Sequence, residues 1–371
     1  MPLSTSSSDM PNSDSLGQRA DPVFERPLPV LGRSAWLALV VALLLMLGWE
    51  AWVRSQGVTP SYRNSDGLWA EQRRRISADA GDGWVFTGSS RVLFDMQLAV
   101  WERLDGRRPL QLALEGTAAV GVLEGLADDE NFTGKVIVGV APGLFFSGYE
   151  YRRNAMERYI DETPTQWFGQ KFSMLAEPYL AFYAYDFALA TMLRRQPLPQ
   201  RDGVQPNLDV RKLANMGRDR NTRLWDKIYK DEAYGELARF IWAQNWMPLA
   251  ELPDPVRERI LESRTKQLDR TIAAVNKIQA KGAEAVFVQM PYEGHYATSE
   301  IDIAPRELTW DILIEQTGAL GLHFQDHEEM QGYWLPEWSH MSGEEADRFT
   351  EAFYALVQRE LAAREAGGGN P

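Results

Sequence analysis

Residues 34 to 53, SAWLALVVALLLMLGWEAWV, constrain this chain more than any other stretch, because Glu50 is their only charge. About 20 such residues cover the hydrocarbon core of a bilayer. The run separates a tail, residues 1 to 33, from a body of ordinary globular composition. Rich in Ser, Pro and Asp and without apolar periodicity, the tail is expected to be disordered. Trp36, Trp49 and Trp52 stand near the two edges of the run, where indole rings favour the membrane interface. A secretory leader would have a shorter apolar core, a short basic start and a small-residue cleavage motif. None of these is seen, so a single-pass transmembrane anchor over 34 to 53 is expected. Arg19, Arg26 and Arg33 on one side face Arg54, Arg63 and Arg73 to Arg75 on the other, so the charge bias does not orient it.

The 371 residues carry a net charge of −13, which disfavours nucleic acid as a partner. Cysteine is absent, which removes disulfides, thiolate nucleophiles and cysteine-ligated zinc. Any chemistry needing an imidazole must use one of four histidines, at 295, 323, 327 and 340.

Residues 54 to 80 read as a polar, helical connector. Strand-like runs then alternate with amphipathic ones: WVFTG (84 to 88) before a helix from Ser90 to Leu104, LQLAL (110 to 114) before a helix after Gly116, and KVIVGV (135 to 140). A long charged helix from Asp254 to Lys281, stopped by Gly282, leads into AVFVQM (285 to 290). A last helix spans Gly343 to Ala363. Continuous apolar strands between helices indicate an α/β fold with a parallel sheet buried on both faces. The α/β domain is expected over 81 to 145 and 255 to 365, with a mostly helical insertion over 146 to 254. That insertion is long enough to shape a pocket or a partner surface. Its apolar stretch, 172 to 193, contains Glu177, Pro178 and Asp186, which argue against a second span.

The stretch WVFTGSSRVLFD places Ser90 where a strand gives way to a helix, at the sheet edge where open α/β folds bind ligands. Serine there also suits a helix cap. A nucleophilic serine needs a base and a group that orients the base. His340, in the loop before the last helix, has Glu337 three residues earlier, so one tight turn can bring carboxylate to imidazole. The amides of Ser90 and Gly116 are candidates for holding an oxyanion. Arg91, Tyr292 and His295 are candidates for lining the pocket, whereas His323 reads as strand packing. A metal site built on His323, Asp326 and His327 is a weaker alternative. No cofactor and no metal are expected.

Gly88-Ser89-Ser90, Gly116 and Glu337-Trp338-Ser339-His340 together resemble the SGNH/GDSL hydrolase superfamily, whose first block is Gly-Asp-Ser and whose last is Asp-x-x-His. The resemblance implies a flavodoxin-like three-layer α/β/α sandwich with Ser90, His340 and Glu337 catalytic and Gly116 an oxyanion donor. With the N-terminal anchor, the architecture is similar to the bacterial envelope group containing alginate O-acetyltransferase relatives and the D-alanyl-lipoteichoic acid protein. This implies a serine esterase or O-acyltransferase of the inner membrane, its main domain extracytoplasmic, acting on acyl esters of an envelope polysaccharide. The implied partner is a membrane-bound O-acyltransferase or a polysaccharide synthase subunit. Two departures stand out: Ala141-Pro142-Gly143-Leu144 replaces the Gly-x-Asn-Asp block, and Glu337 replaces Asp. They keep a competing expectation open, a catalytically inactive binding subunit of an envelope modification or export complex.

Overall fold

The computed structural model describes residues 32–195, 208–209, 211–244 and 246–367; the tail expected over 1 to 33 lies almost wholly outside them. Its contacts divide the chain into two compact units between Trp49 and Glu50. Most of helix α1 (Gly32–Ser55) belongs to the first. Among the described residues it is the one helix long and apolar enough to cross a membrane, with a mean hydropathy of 2.0. Leu45 is 70 % exposed, so α1 is not the core helix of a soluble domain.

The second unit begins with α2 (Asp66–Arg75) and a π turn, Ile76–Ala80. Then come β1 (Trp84–Thr87), α3 (Ser90–Asp95), α4 (Leu98–Asp105), β2 (Leu110–Gln111), α5 (Val120–Ala127) and β3 (Lys135–Gly139). The insertion holds α6 (Pro142–Phe145), α7 (Arg153–Ile160), α8 (Pro164–Ala176), α9 (Leu189–Arg194), an antiparallel hairpin of β4 (Ala214–Met216) and β5 (Thr222–Leu224), α10 (Lys227–Lys230) and α11 (Glu232–Ala243). The chain returns through α12 (Asp254–Ala280), β6 (Glu284–Gln289), α13 (Gly294–Ile303), α14 (Trp310–Thr317), β7 (Leu320–His323) and α15 (Gly343–Ala366).

β2, β1, β3, β6 and β7 form, in that order, a five-stranded parallel sheet. Alternate strand residues serve two cores. Val85, Val136, Val138, Ala285 and Phe287 pack with α5, α12 and α14. Phe86, Ile137, Val286, Val288 and Leu322 pack with α3, α4 and α15. The α/β layout and parallel sheet are therefore present, with helices over both faces. Strand order reverses between β1 and β3, and the cleft outside strand ends at such a reversal is the usual ligand site of open α/β sheets.

Several local expectations are corrected. The helix from Ser90 to Leu104 breaks at Met96-Gln97, because side chains take over the backbone bonds. Gln97 N donates to Thr350 Oγ1 at 2.9 Å, and Leu98 N to Asn221 Oδ1 at 2.7 Å. Residues 54 to 80 are no mere connector: Leu68 and Trp69 are buried, and Trp69 Nε1 donates to Leu112 O at 2.9 Å. The insertion also contains the β4–β5 hairpin, which Tyr62 extends by donating N–H to Met216 O.

Two glycines let α3 lie on the sheet. A Cβ at Gly88, where φ is +152°, would meet Val92 Cγ2 at 2.8 Å and Gly139 Cα at 3.1 Å. One at Gly139 would meet Val92 Cγ2 at 2.2 Å. Gly139→Ala is expected to force α3 outward and lower stability by about 1–3 kcal/mol, the usual cost of overpacking. Thermal unfolding in detergent checks this; an unchanged midpoint would mean that α3 does not seat there.

Candidate active site

Ser90 opens α3 directly after the β1 glycine turn. Ser89 occupies the cap position without a side-chain capping bond, so the helix-cap role is not filled there. The Ser90 and Gly116 amides donate to no group among the described residues. β2 continues irregularly beside β1, Leu112 N donating to Phe86 O at 2.7 Å and Leu114 N to Gly88 O at 2.9 Å. Ser90 and Gly116 each stand two residues beyond that last pair, at one edge of the sheet. Gly116 takes φ +60°, a conformation that favours glycine.

Glu337 and His340 meet. Glu337 Oε1 accepts the His340 backbone N–H at 2.7 Å and sits 2.7 Å from His340 Nδ1. Its Oε2 accepts the indole N–H of Trp242, from α11 in the insertion. The carboxylate is completely buried and the imidazole 2 % exposed. With Nδ1 donating to the carboxylate, Nε2 carries the ring's free lone pair. The turn between them is strained: Trp338 has φ +73°, rare for a bulky residue. It is held from outside, since Trp338 O accepts Glu293 N at 2.9 Å and Arg239 Nη1 donates to Pro336 O at 2.6 Å.

α3 docks on this turn from some 250 positions away in sequence. Phe94 stacks on the His340 ring at 4.4 Å between centroids, Asp95 Oδ1 accepts Met341 N at 2.9 Å, and Arg91 Nε donates to Ser339 Oγ at 3.3 Å. Ser90 precedes Phe94 by four residues, which places it one turn earlier on the same helix side. The last contact is not made: His340 Nε2 is buried without a hydrogen-bond partner, so it does not engage the Ser90 hydroxyl.

Asp95 is the site residue that the sequence did not reveal. It is completely buried, its Oδ2 has no partner, and burial pushes its carboxyl up to about 7, against the pull of nearby His340. A raised carboxyl means that the folded state holds a proton the unfolded chain has lost between about pH 4 and 7. Stability from this group is thus full below the unfolded pKa and falls as pH rises towards 7. Asp95→Asn, which keeps the acceptor for Met341 N, is expected to raise the melting temperature at pH 8 and to change it little at pH 4. Equal shifts at both values would contradict the assignment.

The pocket role expected of Arg91 gives way to a structural one. Its guanidinium is buried in a bidentate pair with Glu300, at 2.9 and 2.7 Å, and lies over the Tyr292 and Tyr296 rings. Tyr292 lines a hollow of about 330 Å³ with Phe324 and Tyr333. His295 meets the edge of Trp246, and burial lowers its pKa. His323, as expected, packs in a strand; burial lowers it to about 4, and its Nδ1 accepts Gln325 N at 3.2 Å. Asp326 is engaged bidentately by Arg306, at 2.8 and 2.6 Å. Among the described residues no group of three side chains could hold a metal ion.

A cavity of about 610 Å³ has Phe94, the residue stacked on His340, in its lining. Glu115, the neighbour of Gly116, lines it together with Tyr62, Tyr151, Arg152 and Lys212. Arg152 is paired with Glu115 and with Asp66, and burial lowers Lys212 to about 8. Phe94 therefore touches both the imidazole and a pocket of ligand-binding size. No family model matches the chain, and no curated protein matches its sequence.

Proposed function

We propose that this protein is a membrane-anchored serine esterase or O-acyltransferase, with Ser90 as nucleophile, His340 as base and Glu337 as the group that orients the base. The buried Glu337–His340 pair, with Nε2 uncommitted and α3 stacked on the imidazole, carries the reading. Ser90 Oγ attacks an acyl carbonyl and passes its proton to Nε2, while the amides of Ser90 and Gly116 hold the oxyanion. The tetrahedral species collapses, His340 gives that proton to the departing alcohol, and an acyl-serine remains. A glycan hydroxyl or water then takes the acyl group by the reverse sequence. Nε2 must reach the serine for this, and catalytic hydrogen bonds commonly tighten only when substrate is bound.

The strand order and the helices on both faces support the flavodoxin-like sandwich of SGNH hydrolases. The favoured cargo is acetyl on an envelope polysaccharide, with the cavity beside Phe94 receiving the glycan. α1 would hold the enzyme in the inner membrane with its body outside the cytoplasm, beside a membrane-bound O-acyltransferase or a polysaccharide synthase subunit.

One observation favours a second reading, a binding subunit without catalysis: Nε2 is closed off from solvent as well as from Ser90. Ala141, Pro142 and Gly143, standing where the superfamily has a side-chain oxyanion donor, point the same way. Ser90→Ala in the native host separates the two. Loss of acetyl from the surface polysaccharide is expected for the enzyme; unchanged acetyl content would favour the binding subunit.

A further inference from the structure

α8 is amphipathic in the wrong sense for a helix in water. Towards the body it turns Gln170, whose Oε1 accepts the Ser65 hydroxyl, and Lys171, which pairs with Glu71. Met174 is its only buried apolar side chain. Outward it turns Phe168, Phe172 and Leu175, and Tyr179 follows in the turn just past its end; these are 57, 70, 69 and 72 % exposed. The spacing of four and three residues puts the three helical ones on one side, and Tyr179 stands three residues past the helix end. Leu189 and Leu193 of α9 are exposed as well. So large an apolar face marks a surface that meets something other than water.

The chain itself indicates what that is. Glu50 Oε1 and Oε2 accept the N–H groups of Ala181 and Phe182, each at 3.0 Å, and Arg54 Nη2 donates to Tyr179 O at 2.9 Å. Trp52 meets the edge of Phe187. The segment that follows α8 is thus bonded to residues 50 to 54, where the apolar run of α1 ends and a bilayer's surface must lie. We propose that the face formed by Phe168, Phe172, Leu175 and Tyr179 rests in the headgroup region of the bilayer that α1 enters. Aromatic and aliphatic side chains on a helix lying flat suit that depth, where Trp and Tyr are enriched. The inference rests on α1 being a membrane anchor and is independent of the catalytic assignment.

Because the chain has no cysteine, Phe172→Cys, Leu175→Cys, Leu44→Cys and Ala355→Cys each carry a single fluorescent label. The full chain is reconstituted in vesicles of phosphatidylethanolamine and phosphatidylglycerol, with or without a phospholipid bearing a nitroxide near the top of its acyl chain or, for the label at 44 in the bilayer centre, near the end of that chain. Labels at 172 and 175 are expected to be quenched by the nitroxide lipid several-fold more than the label at 355, which is exposed on α15. Quenching at 44 but none beyond the control at 172 and 175 would overturn the docking while leaving the anchor intact. Labels at 172 and 175 shielded from aqueous iodide yet not quenched by the lipid would also overturn it, in favour of a protein neighbour such as a second copy. No quenching at 44 would remove the anchor and the docking together.

Discussion

Ser90→Ala is expected to lower turnover of an activated acetyl ester, such as p-nitrophenyl acetate, by about 10⁴- to 10⁶-fold, the range seen when a serine nucleophile is removed. The hydroxyl is the only group lost. Ser90 is half-buried at the start of α3, and no side-chain hydrogen bond or capping bond of its own holds the fold. The melting temperature should therefore stay within a degree or two of the parent, since surface-type changes fall near ±0.5 kcal/mol. Activity that survives the substitution would assign ester cleavage to another group.

Glu337→Gln tests the orienting carboxylate with almost no change in shape. In the parent, one carboxylate accepts three N–H groups, from the His340 backbone, His340 Nδ1 and Trp242 Nε1. A glutamine has one acceptor oxygen and an NH₂ group that must oppose a donor. The imidazole can relieve this by moving its proton to Nε2, the wrong tautomer for a base. A loss of about 10⁴-fold in kcat is expected from that error. Stability should also fall, by about 1–3 kcal/mol, because a buried donor loses its partner. The two effects separate by comparison with Trp242→Phe, which removes one donor and leaves the Glu337–His340 pair: its stability should change while kcat falls far less. Equal kcat losses in both variants would make Glu337 a packing residue.

The sheet was legible because its strands are continuous apolar runs, and α12 because Gly282, at φ +78°, stops it where the pattern ends. Glu337 and His340 were legible because three residues suffice to close one turn. What the sequence hid was held by distant partners. The break between α3 and α4 depends on side chains of Thr350 and Asn221, more than a hundred residues away. Arg91 looked like a pocket cation until Glu300, 209 positions on, enclosed it. Asp95 reads as an ordinary polar residue inside an amphipathic helix; only the approach of Met341 and His340 makes it a buried acid. Trp242 carried no local sign of its carboxylate. Trp338 gave none of its left-handed turn, for which glycine or asparagine would be the usual signal.

The central claim is that Ser90 is a nucleophile activated by His340. The most direct measurement is the intact mass of the full chain after treatment with a fluorophosphonate, followed by peptide mapping, in parallel with His340→Ala. The account expects one adduct, on Ser90, and little or none in the His340→Ala protein. An unlabelled parent under conditions that fully label a reference serine esterase, or an adduct on another residue, would contradict it.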